Sequence, residues 1–165
     1  MTNNLRYLLF AAGLLSGLLA GGDVYRYVIE VPAWRHLDIV TWAAYSRYAD
    51  MGNGIFLFPL EAIGSSICLT ISSVKVLKSK PALKSIAWAI HSATIFSIIG
   101  LVFTLFAAPL MLHLQSVGNN PEKIQQTFDQ FHFWGYLRAI AQLLSFCACA
   151  FAMLKSSRFI AELHT

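Results

Sequence analysis

Residues 83–114, LKSIAWAIHSATIFSIIGLVFTLFAAPLMLHL, decide the fold. Between Lys84 and His113 this stretch holds one ionisable side chain, that of His91. An α-helix needs about 20 predominantly apolar residues to cross the hydrocarbon core of a bilayer, and the stretch exceeds that length. It therefore predicts a transmembrane helix that is tilted or that ends among the lipid headgroups.

Three further apolar stretches flank this one, at about residues 5–29, 54–77 and 131–154. The chain of 165 residues is 57% hydrophobic and only 12% charged, whereas soluble domains are about 25% charged. We therefore predict one all-α transmembrane domain over residues 1–165, a membrane four-helix bundle surrounded by the lipid bilayer. The first stretch also has the shape of a signal peptide, but its apolar character continues to Ile29, which favours a retained helix.

The basic residues behind the formal net charge of +4 gather beside the ends of the spans. One side of the predicted bundle carries Arg6, Lys75, Lys78, Lys80, Lys84, Lys155 and Arg158. The two connections on the other side carry more acidic than basic residues. The positive-inside rule then predicts cytoplasmic termini and a location in the cytoplasmic (inner) membrane. Since these basic residues meet anionic headgroups, nucleic acid is not expected as a partner.

The connection between the first two spans predicts a helix at about residues 33–49, with Pro32 in its first turn. Its aromatic and apolar face at helical spacing consists of Trp34, Leu37, Thr41, Ala44, Tyr45 and Tyr48. Trp and Tyr favour the depth of the headgroups, so an amphipathic helix lying in the interface is the simpler interpretation. The alternative is a lid over the mouth of the bundle.

Ionisable residues inside the predicted spans are costly in lipid, so each one is a candidate site residue. Glu61 in the second span and Arg138 in the fourth lie at similar depth, and they are expected to form an ion pair. Asp129 and His132 are three residues apart and share one helix face. The residues expected in the outer half of the bundle are Asp23, Glu61, His113, Asp129, His132 and Arg138. His91 lies apart from these residues, about eight residues in from the cytoplasmic end of the third span. It is expected to form a hydrogen bond with a neighbouring helix.

The sequence resembles the anthrone oxygenase-like family of small four-helix membrane proteins. The residues that carry the likeness are Pro32-Ala-Trp-Arg-His36, Trp42 through Arg47, Asp50, Phe58-Pro-Leu-Glu-Ala-Ile-Gly64, and Phe128-Asp-Gln-Phe-His-Phe-Trp-Gly135 with Arg138. Fungal relatives convert anthrones into anthraquinones without a classical cofactor. The resemblance implies a cavity in the outer half, lined by residues that include His36, Glu61, His132, Trp134 and Arg138.

Three functional hypotheses follow. The first is an oxygenase or oxidoreductase acting on a small hydrophobic, aromatic or quinone-like molecule. His132 would be its general base, since imidazole acts near neutral pH, Arg138 would stabilise a developing phenolate or enolate, and Glu61 would orient either group. Residues expected to bind the substrate are His36, Trp134, Tyr136 and Gln142.

The second hypothesis is a non-catalytic ligand-binding or accessory protein, in which the polar cluster holds the helices together. The third is an intramembrane metal site with Asp129, His132, Glu61 and His113 as ligands, since imidazoles and carboxylates suit several metals. The sequence does not identify a cofactor. The first possibility is that there is none, and the second is a metal ion. Assembly into a homo-oligomer stays open.

Overall fold

The computed structural model describes residues 3–78 and 84–161, and all regular structure in these ranges is helical. The elements are α1 (Asn3–Tyr25), a π-helical segment (Arg26–Glu30), α2 (Val31–Trp34), α3 (Ile39–Ala49), α4 (Gly54–Leu77), α5 (Lys84–Leu114) and α6 (Pro121–Ala161). The predicted fold class, an all-α four-helix bundle with a short helix after the first span, is confirmed.

Four helical stretches of the described chain are long and apolar enough to cross a membrane. They are Asn4–Trp34, Gly54–Leu77, Ile86–Leu114 and Pro121–Ser156. The last begins earlier than predicted because the polar residues from Pro121 onward are already helical, with the Asn120 side chain accepting a hydrogen bond from the backbone N–H of Lys123. Lys80, together with the side chains of Lys84 and Arg158, lies outside the described residues, so the structure does not bear on that part of the charge argument.

The four long helices form a ring in the order α1, α4, α5 and α6, and α6 also packs against α1. Away from α3, the ring encloses an apolar core of Leu5, Leu9, Val76, Ile86, Ala89, Ile90 and Ala152. Nearby, the Ser73 hydroxyl and His91 Nδ1 are 2.6 Å apart. This hydrogen bond joins α4 to α5, and it confirms the interpretation of His91 as a bundle histidine.

The opposite end of the bundle, called the α3 end below, is covered by α3. The helix begins at Asp38, whose carboxylate accepts hydrogen bonds from the backbone N–H groups of Val40 and Thr41, at 3.1 and 3.0 Å. Near its last turn, Arg47 donates to the carbonyls of Leu114 and Gly118, which joins α3 to the connection between α5 and α6. The helix therefore lies over the ends of two spans.

The face of α3 that packs on the bundle differs from the predicted one. Trp42, Ala43 and Ser46 are buried, whereas Tyr48 is 85% exposed. The predicted face assumed a helix running on from Pro32, but α2 ends at Trp34 and α3 restarts after Asp38, which changes the rotation. Thr41, Ala44, Tyr45 and Tyr48 of the predicted aromatic face are all exposed, so the interfacial position of this face stays a prediction. The arrangement matches the alternative of a helix that covers the bundle mouth.

Candidate functional site

Two buried arginine–aspartate pairs cross the interior near the α3 end. Arg138 Nη2 of α6 lies 2.8 Å from Asp23 Oδ1 of α1, and Arg26 Nη2 lies 2.5 Å from Asp50 Oδ1, at the end of α3. All four residues are less than a tenth exposed. The predicted Glu61–Arg138 pair is wrong, because Asp23 takes the place of Glu61 beside the guanidinium. Glu61 is buried on α4, and it joins no ion pair among the described residues.

The π-helical segment presents two consecutive side chains to different neighbours. Arg26 extends to Asp50, and its guanidinium carbon lies 5.1 Å from the centre of the Phe58 ring of α4. Tyr27 instead contacts α6, with its ring edge-on to those of His132 and Tyr136 at 6.1 and 5.6 Å. Consecutive residues of a helix point about 100° apart, which accounts for the divergence. π-helical segments are frequent at functional sites. Sequence reasoning missed Arg26, although a charge inside the first span was a signal for it.

His132 lies among aromatic rings and is 8% exposed. Its neighbours, with ring centres at 4.2 to 6.1 Å, are Phe128, Phe131, Trp34, Trp42 and Tyr27. Neither ring nitrogen has a hydrogen-bond partner in the described part of the chain. Trp42 comes from α3, so the covering helix completes this cage. Sequence reasoning missed the role of Trp42 because it assigned no face of this helix to the bundle.

A cavity of about 540 Å³ opens between α4 and α5 near the α3 end. We call it the α4–α5 cavity. Its walls are almost entirely apolar and include Ile55, Phe58, Pro59, Ile63, Ile98, Leu101, Val102, Leu105, Ala108 and Met111. Three charged side chains also line it, namely those of Arg26, Asp50 and Arg138. Asp50 Oδ2 and Arg138 Nε are buried and have no hydrogen-bond partner in the described chain.

The second cavity is a groove of about 560 Å³ between α6 and the segment from Tyr27 to Arg35. We call it the α1–α6 groove. It is lined by Tyr27, Val31, Arg35, Gln125, Phe128, Asp129, His132, Phe133, Tyr136 and Leu137. The predicted general base His132 therefore lines the groove, whereas Arg138 lines the α4–α5 cavity. Six residues of α-helix separate the two side chains by about 120° around the axis, which explains the division.

The remaining predicted substrate-binding residues are dispersed. His36 is exposed after α2, and Trp134 stacks on Phe106 of α5 at 4.7 Å between ring centres. Tyr136 lines the α1–α6 groove. Gln142 is fully buried against Gly100, where a Cβ would meet its Nε2 at 2.5 Å. Only Tyr136 of these four therefore lines either cavity.

The predicted metal ligands are not brought together. His113 is exposed at the end of α5 and faces Ser116, whose hydroxyl is 3.1 Å from its Nδ1. Asp129 is also exposed, and it accepts a hydrogen bond from Gln125. Nowhere in residues 3–78 and 84–161 do three His, Cys, Asp or Glu side chains converge as metal ligands would. Their neighbours Leu114 and Phe128 belong to a buried apolar cluster, whereas His113 and Asp129 lie on the exposed sides of α5 and α6.

Comparisons with known proteins give no further guide. No protein-family model, curated protein or solved structure matches this chain. The two cavities and their side chains are therefore the basis for assigning a function.

Proposed function

We propose that the chain is a small integral membrane protein that takes a small aromatic or quinone-like molecule from the bilayer into the α4–α5 cavity. The observation that carries the proposal is an apolar cavity with buried charge at its inner wall. Several side chains at its edge face outward, among them Leu105, which is 72% exposed, and Ile63, which is 50% exposed. A ligand dissolved in lipid can therefore enter sideways between α4 and α5.

The charged wall accounts for the polar end of the proposed ligand. Both atoms are buried, so we propose that ligand entry shifts the two side chains, which lets Arg138 Nε donate to a carbonyl or phenolate oxygen and Asp50 Oδ2 accept from a hydroxyl. Ligand sites commonly combine apolar walls with a few polar groups that fix orientation. A fused aromatic ring system with one oxygen substituent matches both the walls and this pair of groups.

For the reaction, we propose the oxygenation that the resemblance to the anthrone oxygenase-like family implies. A ring CH2 group would lose a proton to give an enolate, which dioxygen then oxidises to a ketone. One oxygen atom enters the product, and the other leaves as water. Arg138 is assigned to the enolate oxygen. Asp50 is the carboxylate beside the same cavity, so it replaces His132 as the proposed proton acceptor.

Binding and turnover can be tested with anthrone as the probe. Purified protein in detergent should bind anthrone and, in air, consume one dioxygen per anthraquinone formed. Leu105→Trp should block the cavity and abolish both. The matched control is Leu60→Trp, also lipid-facing at 65% exposure but outside the cavity lining, and it should change neither.

Three outcomes separate the hypotheses. Binding without oxygen consumption would favour the non-catalytic ligand-binding protein. Loss of binding in Leu105→Trp alone would support the α4–α5 cavity as the site. If anthrone does not bind, or if both tryptophan variants behave alike, the proposal fails.

We further propose that the α3 end faces away from the cytoplasm. Arg6, Lys78 and Lys155 support this orientation, since they belong to the opposite end of the bundle. In a variant with all three cysteines replaced by alanine, Tyr48→Cys should react with a membrane-impermeant maleimide added to intact cells. Lys78→Cys should react only after lysis, and the reverse result would refute the orientation.

A further inference from the structure

The α1–α6 groove has its polar residues at one end and its apolar residues at the other. Arg35, Gln125 and Asp129 form the polar end, and all three are exposed. Further along α6, Phe133 and Tyr136 are 59% and 55% exposed. The groove is therefore amphipathic along its length.

This gradient follows the boundary of the membrane. α6 has 41 residues, so at 1.5 Å per residue it is about 60 Å long, against a hydrocarbon core of about 30 Å. Its polar first turns extend beyond the core, and its apolar sequence begins at Phe131. From Gln125 to Leu137 the groove runs along about 18 Å of helix, enough for a lipid headgroup and the first part of its acyl chains.

The polar end carries one cation and one anion. Arg35 joins no ion pair within the described residues, and neither does Asp129, whose Oδ1 accepts only from Gln125. A guanidinium is the preferred protein partner of a phosphate group. A carboxylate is the matching partner of an ammonium group.

The inner wall of the groove supplies a third feature. His132 is more than nine-tenths buried and lines the groove, and its two ring nitrogens have no partner in the described chain. Phe128 and Tyr27 complete this wall. Aromatic faces attract a cationic headgroup and also pack against acyl chains.

From this charge pattern we infer that the α1–α6 groove is a binding site for one zwitterionic phospholipid, its phosphate at Arg35 and its ammonium group at Asp129. The acyl chains lie along Phe133, Tyr136 and Leu137. The inference uses a different cavity from the proposed oxygenation, so either can fail without the other.

Native mass spectrometry of the full chain in detergent tests the site, with phosphatidylethanolamine and phosphatidylglycerol added in equal amounts. The wild type should retain phosphatidylethanolamine preferentially. Asp129→Asn should reduce that preference roughly threefold to tenfold, because the ammonium group loses its charged partner. Arg35→Gln should weaken retention of both lipids, since both carry the phosphate.

The matched controls are Glu122→Gln and Lys123→Gln, which change exposed charges at the start of α6 outside the groove lining. Both should leave the lipid ratio and the amount of bound lipid unchanged. Preferential retention of phosphatidylglycerol by the wild type would overturn the inference. So would an Asp129→Asn ratio equal to that of the wild type, or retention of neither lipid.

Discussion

At the end of the bundle away from α3, Leu9, Ile90 and Ala152 pack in an entirely apolar core. The half nearer α3 instead contains all the buried charged residues and the buried histidine of the described chain, which are Asp23, Arg26, Asp50, Glu61, His132 and Arg138. Both cavities also lie in that half. The α3 end also has its own apolar cluster, which includes Trp42, Met111 and Phe131. Both ends are therefore packed with apolar side chains, and only the α3 end adds buried charges and cavities.

The difference teaches how stability is divided between the two ends. Apolar packing tolerates small rotations of a helix, because its contacts are not directional. A buried ion pair tolerates little rotation of either helix, since breaking the pair leaves an uncompensated charge. The two arginine–aspartate pairs should thus fix the rotation of α1 and α6 and the position of α3, while apolar packing at both ends supplies the attraction.

The largest effect is expected from breaking the Arg138–Asp23 pair. Arg138→Met should lower the free energy of unfolding by about 3–5 kcal/mol, because Asp23 is left buried without a partner. Denaturation of the purified protein in mixed micelles, followed by circular dichroism, measures the change.

The double variant Asp23→Leu/Arg138→Met is the control for that experiment. Replacing both charges with apolar groups should recover most of the lost stability. If Arg138→Met is tolerated within 1 kcal/mol, or if the double variant is no better than the single one, the pair does not hold this end together.

A smaller effect is expected where Tyr27 meets α6. A Cβ on Gly135 would lie 2.1 Å from the Tyr27 hydroxyl oxygen and 3.4 Å from its Cζ. Gly135→Ala should therefore displace the tyrosine and cost about 1–2 kcal/mol, despite the higher helix propensity of alanine.

Removing the hydroxyl should relieve that clash. Tyr27→Phe in the Gly135→Ala background should restore stability, since the remaining ring carbon is at ordinary contact distance. Gly21→Ala, at a position with nothing within 4 Å of the added Cβ, should be neutral or stabilising. Equal costs for Gly135→Ala and Gly21→Ala would mean that Tyr27 does not approach α6 so closely.

The spans and the role of His91 were predictable because each depends on a local property of the chain. Hydropathy over some 20 residues locates a transmembrane helix whatever its neighbours are. A lone histidine in such a helix needs one hydrogen-bond partner, and Ser73 supplies it. Counting residues along each helix was also enough to predict that Glu61, His132 and Arg138 lie in the same half of the bundle.

The partners were not predictable because they depend on how the helices are rotated about their axes. Asp23 and Glu61 lie at comparable depth, and only packing decides that Arg138 reaches Asp23. The α-helical periodicity also gave no sign of the π-helical segment, which contains Arg26 and Tyr27. The same limit applies to α3, whose buried face depends on the restart at Asp38.

The Ser73–His91 hydrogen bond lies at the end of the bundle away from α3, and removing it tests how much polar contacts contribute to stability there. Ser73→Ala should cost only about 0.6 kcal/mol, the average for a hydrogen bond between membrane helices. The same micelle denaturation measures it, with Ser92→Ala, a half-buried neighbour of His91 on α5, as the control. A loss as large as that of Arg138→Met would show that polar contacts are as important here as at the α3 end.

The smallest effect concerns the start of α3 and appears only in acid. Hydrogen bonds from Thr41 and Val40 lower the pKa of Asp38 below its ordinary value of 3.8. A carboxylate with a lowered pKa contributes stability that is present above the unfolded value and is lost as the pH falls through the folded one. Hydrogen-exchange protection of α3, corrected for intrinsic rates, should therefore fall below about pH 4 in the wild type. Asparagine caps a helix about as well without titrating, so Asp38→Asn should show no such fall; a parallel loss in both proteins would place the acid sensitivity in another part of the α3 end.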